Sequence, residues 1–283
     1  MSDLKRKLIV ILGVLGTSFS AILVRYSTAP SLVLVFYRNL FASLIMIVPG
    51  IRSLRAEKDR ITGKDLLCCL VSGLFLAFHF TAYFESVKLT SITCSVVLVN
   101  TEVFFVTFIL LFFFHEKISK KRWAGILIAF AGSLIIALGD SGGLSGTLKG
   151  DLYALSGAFF VSIYTTMGRI CRRHMSTASY TAIVYSVVTV VTMVMILIGG
   201  NPLFGYGEVN LGTAFGMAIL CTLLGHSVIN WGLKFISPAF ISASRLLEPL
   251  FSAILGILFF MEIPSLSAVI GGIIIIAGLY LAG

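Results

Sequence analysis

Residues 102–132 read EVFFVTFILLFFFHEKISKKRWAGILIAFAG, and residues 248–278 read EPLFSAILGILFFMEIPSLSAVIGGIIIIAG. The second stretch is the first displaced by 146 residues. Glu102, Phe105, Phe113, Phe114, Glu116 and Ser119 fall on Glu248, Phe251, Phe259, Phe260, Glu262 and Ser265. Gly125, Ile128, Ala131 and Gly132 fall on Gly271, Ile274, Ala277 and Gly278, and further upstream Lys88 and Ser91 fall on Lys234 and Ser237. These 12 identities lie in 45 gapless positions, about three times what chance gives in so apolar a stretch. The chain therefore carries an internal repeat. Each copy sets one carboxylate, Glu102 or Glu248, in the middle of an apolar segment, as repeats in secondary transporters do with charges at mid-membrane.

Outward from this pair the chain stays apolar. Of its 283 residues, 58% are hydrophobic and 12% charged, with a mean hydropathy of +1.04. A soluble domain carries about 25% charged residues, so soluble enzyme folds are excluded. Apolar runs of about 20 residues, enough to cross a bilayer as a helix, recur from end to end. The first follows Lys5, Arg6 and Lys7 without a small-residue cleavage site and reads as a retained helix. Loop signals predict ten spans near 7–26, 31–50, 64–87, 90–114, 119–139, 150–171, 176–199, 210–233, 236–260 and 264–282. The breaks are Ala29-Pro30-Ser31, Pro49-Gly50, the Gly139–Gly150 stretch, Gly199-Gly200-Asn201-Pro202, Ser237-Pro238 and Ile263-Pro264.

The net charge of +9 is carried in short loops, where it sets orientation rather than binding nucleic acid. With the N-terminus inside, sixteen Lys and Arg fall on the inner side and three (Arg25, Lys88 and Lys149) on the outer; Arg38 and Arg245 lie within spans. That bias predicts an all-α polytopic membrane protein with ten transmembrane helices, both termini cytoplasmic. Five helices per copy is an odd number, so the copies, 1–140 and 141–283, are expected to be inverted five-helix repeats able to open alternately to either side. Five cysteines without metal-ligand spacing read as small apolar packers.

Charges within a bilayer cost about 2.5–3.5 kcal/mol each and persist where they line a cavity or find a partner. Glu102 lies about 18 Å into its span, near the midplane, where it could bind a substrate amine or a proton. Glu248 matches it in depth, with Arg245 at i−3 on the same face to neutralise it. Arg38 in the second span could hold a substrate carboxylate, and pairing with Glu102 is the favoured reading. His79 with Tyr83, and His226 with Asn230, are i, i+4 pairs that could each line a cavity, the histidines as proton carriers or as packing residues. Among the aromatics Phe78, Phe84, Tyr164 and Trp231 could wall a substrate, Tyr164 and Trp231 with polar ends that need partners. Glu85 and Lys88 are expected to be solvated or mutually paired. Pro249 predicts a broken helix in the second copy, whereas Val103 at the matching place predicts none in the first. Gly125, Gly132, Gly271, Gly272 and Gly278 allow close helix contact, between the two copies or between the protomers of a homodimer.

No HExxH, GxSxG or P-loop occurs, and the four histidines show no ligand spacing, so no enzyme activity, cofactor or metal is expected and transport would run on gradients. Two five-helix copies, each with Phe-Phe-x-x-Glu followed by Gly-x-x-Ile-x-x-Ala-Gly, resemble the drug/metabolite transporter superfamily, specifically its EamA-type exporters. The residues are Phe113 to Gly132, and Leu247-Glu248-Pro249-Leu250 through Glu262 to Gly278. Arg38 also fits the family habit, while Val103 departs from it. The resemblance implies a ten-helix bundle around a central cavity and the export of amino acids or other small metabolites by proton exchange or facilitated diffusion. The expectation is thus a secondary transporter of a small polar or zwitterionic metabolite in the inner membrane, with lipid around it and protons as candidate coupling ions. The alternatives are an importer of a nucleoside, cofactor or S-adenosylmethionine-like cation and, in another class, a lipid-head-group flippase subunit or membrane sensor.

Overall fold

The computed structural model describes residues 1–139, 147–260 and 265–283, all helix and connecting loop with no strand among them. Glu262, Ile263-Pro264 and most of the Gly139–Gly150 stretch lie outside the described residues. Asp3–Tyr26 (α1), Ser31–Glu57 (α2) and Gly63–Leu89 (α3) are long single helices. Ile92–Val99 (α4) and Glu102–Phe113 (α5) form one interrupted span, followed by Lys120–Gly139 (α6). Leu148–Cys171 (α7) and Thr177–Ile198 (α8) are again continuous. Gly207–Met217 (α9) runs through a π-helical stretch, Ala218–His226, into Ser227–Gly232 (α10). Pro238–Ser244 (α11), a 3-10 turn at Arg245–Leu247 and Glu248–Phe260 (α12) make a second interrupted span before Leu266–Ala282 (α13).

Among the described residues, six stretches are long and apolar enough to cross a membrane: Asp3–Tyr26, Ser31–Glu57, Gly63–Leu89, Cys94–Phe113, Thr177–Ile198 and Gly207–Gly232. Large apolar side chains such as Phe112, Ile198 and Tyr280 are exposed around the bundle, a surface that suits lipid. The predicted second span stops too early at residue 50. α2 continues through Pro49 to Glu57, whose carboxylate accepts from Ser176 N and Ser179 Oγ at the start of α8.

The repeated residues occupy repeated jobs. Ser91 and Ser237 cap α4 and α11, accepting from Cys94 N (3.0 Å) and Phe240 N (3.3 Å). Ser119 and Ser265 each accept a backbone N–H three residues on, both at 3.2 Å. A helix start leaves N–H groups without partners, and a serine there is worth about 1 kcal/mol.

The repeated glycines mark a close contact between the two copies. α6 packs lengthwise on α13, so the close contact lies within one chain. A Cβ on Gly125 would stand 2.6 Å from Gly278 O, and one on Gly132 would stand 2.7 Å from Gly271 O. Position 125 meets 278 while 132 meets 271, so the two helices run antiparallel. Because the shift carries Gly125 to Gly271 and Gly132 to Gly278, each glycine meets the counterpart of its neighbour, a reciprocal contact of two-fold type. α2 and α8 are also antiparallel, with Gly50 against Ala178 and Ala182 at one end and Val33 and Phe36 clustered with Ile196 at the other.

Candidate functional site

Where the helices are interrupted, polar groups turn inward. In the first copy Val103 N bonds to Asn100 O (3.3 Å) and Phe104 N to Thr101 O (3.0 Å), three residues back rather than four. The break therefore exists without a proline, against the expectation from Val103, and it falls at Asn100-Thr101. The 3-10 turn Arg245–Leu247 contains the matching positions, 246 and 247. Glu102 and Glu248 are each the first residue of the helix that resumes, α5 and α12, where the helix dipole favours an anion.

The two carboxylates find partners other than those expected. Arg245 Nη1 donates to Glu102 Oε2 at 3.0 Å, with both side chains buried. Arg245 therefore gives its hydrogen bond to the first copy, while its charge also acts on Glu248 three residues along its own chain. Glu248 Oε1 accepts from Thr17 Oγ1 at 2.8 Å. That hydroxyl also lies 2.9 Å from Val14 O and has one hydrogen for the two acceptors. Thr17→Val is expected to lower stability by about 1.5 kcal/mol, read by thermal unfolding in detergent; Thr17→Ser should stay near the parent, and equal losses in both would rule the hydroxyl out.

Arg38 does not pair with Glu102. It is almost wholly buried; Nε donates to Thr222 Oγ1 (2.7 Å) and Nη1 to Ser20 Oγ (3.4 Å), and its guanidinium lies 4.1 Å from the Phe80 ring centre. Its charge is held by hydroxyls and an aromatic face rather than by a carboxylate. The π-helical stretch presents Thr222 for this contact. Ser227 N bonds to Thr222 O, five residues back, and Tyr185 Oη donates to the same carbonyl at 3.3 Å. π-helical turns recur at functional sites. This one is pressed on α1: a Cβ on Gly16 would stand 2.8 Å from Leu220 O, and one on Gly225 would stand 2.8 Å from Thr17 Cγ2. That approach brings Thr17 and Ser20 to the cavity.

The cavity is lined by Thr17, Ser20, His79, Phe80, Tyr83, Val99, Asn100, Glu102, His226, Arg245 and Glu248. Of the residues chosen from sequence, His79, Tyr83, Glu102, His226, Arg245 and Glu248 are thus brought together. His79 and Tyr83 stack in parallel, ring centres 6.0 Å apart. His79 Nδ1 lies 2.9 Å from Gly157 O, and a carbonyl only accepts, so that nitrogen carries the proton. His226 stands edge-on to Phe80 at 5.1 Å. Asn230 and Tyr164 sit behind this wall, joined by Asn230 Nδ2 donating to Tyr164 Oη at 2.6 Å. Trp231 is no part of the cavity; it packs on Phe235 at 5.2 Å. Phe78 clusters with Phe75 and Phe160, and Phe84 flanks the Arg38 guanidinium. Lys88 is anchored on the Ala29 carbonyl. Sequence reasoning missed Phe80 and Val99 in the apolar lining, and the polar residues Thr17, Ser20 and Asn100. The one signal of the polar residues was polarity within apolar runs, a weak one because small hydroxyls also bond back to their own helix, as Ser18 does to Val14 O.

A charged cavity enclosed by helices with apolar outer faces is the arrangement of a multi-pass membrane transporter. The chain belongs to the EamA-like transporter family, whose model matches it twice, over residues 5–138 and 148–283. It is 28% identical over 255 residues to an uncharacterized transporter of Archaeoglobus fulgidus, covering 88% of this chain and 86% of that one. It is 24% identical to the pseudopaline exporter CntI of Pseudomonas aeruginosa (88% and 85% covered) and 25% identical to a WAT1-related protein of Arabidopsis thaliana (88% and 75% covered). A crystal structure 17% identical in sequence superposes with a TM-score of 0.81 over 99% of this chain and 97% of that one, which shows a shared fold.

Proposed function

We propose that the protein is a secondary transporter, not driven by ATP, that exports a small polar or zwitterionic metabolite, an amino acid or a related compound, by alternating access. The observation that carries this reading is the Glu102–Arg245 pair, which bridges the two copies inside the cavity. A charge pair on the line where two halves meet can respond to a charged solute and to the halves moving apart. The similarity to a named exporter supports the outward direction.

In this reading ten spans form two inverted five-helix units, 1–140 and 141–283, in the inner membrane with both termini cytoplasmic. The antiparallel α6–α13 seam and the distribution of Lys and Arg support it. Glu102 takes the substrate amine or a proton, and His79 and Tyr83 contact the substrate. In proteoliposomes, Glu102→Gln and His79→Ala are each expected to cut counterflow at least tenfold, and Glu102→Gln to flatten its pH dependence. Unchanged rate and pH profile in both variants would overturn the assignment.

A further inference from the structure

The Glu102–Arg245 bond uses one arm of the arginine and one oxygen of the glutamate. The remaining edge of the guanidinium, Nε and Nη2, has no hydrogen-bond partner in the protein, nor has Asn100 Nδ2 or Glu102 Oε1. All four atoms belong to residues that line the cavity and are at least nine-tenths buried. Buried polar groups are almost always hydrogen-bonded, so a cluster without protein partners points to a ligand.

The cluster has a definite polarity. Three of its groups are donors and want oxygen, and Glu102 Oε1 is an acceptor and wants N–H; His226 Nδ1, of another lining residue, is also without a partner and can do either according to its tautomer. The Nε and Nη2 hydrogens form the side-on fork that matches the two oxygens of a carboxylate. We infer that Arg245 and Asn100 together are the carboxylate clasp of this transporter, with Glu102 Oε1 beside them as the ammonium acceptor. The inference rests on reading the cavity as the substrate site, and it assigns the specificity. The Glu102–Arg245 bond stays intact and orients both groups, so a ligand carrying both charges adds no unpaired charge to the buried site. Its amide or N-acetyl derivative carries one charge alone and leaves either the arginine edge or the glutamate oxygen unmatched, an arrangement that binding sites reject. Arg38, which the sequence offered for this role, also has an unpartnered Nη2, but its Nε and Nη1 are bonded to Thr222 and Ser20 and it does not line the cavity.

The test is counterflow into proteoliposomes loaded with the twenty unlabelled amino acids, with each labelled amino acid supplied outside. Competition is measured with the free acid, its α-amide and its N-acetyl derivative. The free acid is expected to compete at least tenfold better than either derivative. Arg245→Lys keeps the charge and loses the fork; it should raise KM at least tenfold with a smaller change in kcat. Asn100→Ala should raise KM several-fold and gives an independent reading if Arg245→Lys does not fold. A derivative that competes as well as the acid, or an unchanged KM in both variants, overturns the clasp while leaving the transport reading standing. No exchange of any labelled amino acid by the parent protein overturns the amino-acid assignment and the clasp with it.

Discussion

Replacing Arg245 with methionine is expected to destabilise the protein by about 3–5 kcal/mol, because it leaves Glu102 as an unpaired buried charge. Glu102→Gln should cost less, since the amide oxygen still accepts from the arginine while the charge balance is lost. Removing both charges together, in Glu102→Gln/Arg245→Met, should recover most of the loss, because a buried ion pair contributes little net stability over well-packed neutral side chains. The measurement is a double-mutant cycle on thermal unfolding in detergent. Additive losses would mean that the two groups are stabilised independently and that the 3.0 Å contact carries no coupling. The recovered double variant should nonetheless be inactive in counterflow. Stability needs only neutrality at this place, whereas the proposed binding needs both charges.

The second large effect lies away from the cavity. Gly278→Ala puts a methyl group 2.7 Å from Gly125 O and 2.8 Å from Ala129 Cα, and these are backbone atoms that cannot rotate away. α6 and α13 must then separate. A loss of about 1–3 kcal/mol is expected for overpacking of this kind, with Gly132→Ala similar. Gly216→Ala is the control: nothing lies within 4 Å of its added Cβ, and alanine in a helix gains about 0.5–1 kcal/mol over glycine. Opposite signs at Gly278 and Gly216 in one unfolding assay would confirm a tight seam. A silent Gly278→Ala would show that the helices have room to part.

Much of this fold could be read from residue types, because the repeat preserves them where geometry leaves little choice. Serines recur where helices start, glycines where backbones touch, and carboxylates where helices resume after a break. The partners of the charges could not be read in the same way. Helical spacing puts Arg245 and Glu248 on one helix face, and both line the cavity, yet it offered Glu248 as the partner simply because it is three residues away. The arginine bonds instead to a residue 143 positions distant, and Thr17 on α1 takes Glu248. Arg38 was assigned a carboxylate on the ground that a buried charge needs one; two hydroxyls and a phenyl face serve it, and hydroxyls in apolar helices are too common to mark a partner. The break at Asn100-Thr101 was hidden for a related reason. Proline announces a break, but hydrogen bonds three residues back make one without it.

The sequence by itself determined that this chain is apolar, helical and doubled, and that each half carries a matching carboxylate within an apolar stretch. Those properties follow from composition and local spacing, which act along the chain. Only the tertiary structure decided that the halves meet antiparallel along α6 and α13, and that Arg245 of one half belongs to Glu102 of the other. It also left one edge of that arginine, and the Asn100 amide nitrogen, buried without a protein partner in residues that line the cavity. Such facts depend on which segments lie side by side. A bilayer supplies almost no hydrophobic force to choose between apolar faces, so close packing of small residues and the pairing of a few buried charges make that choice.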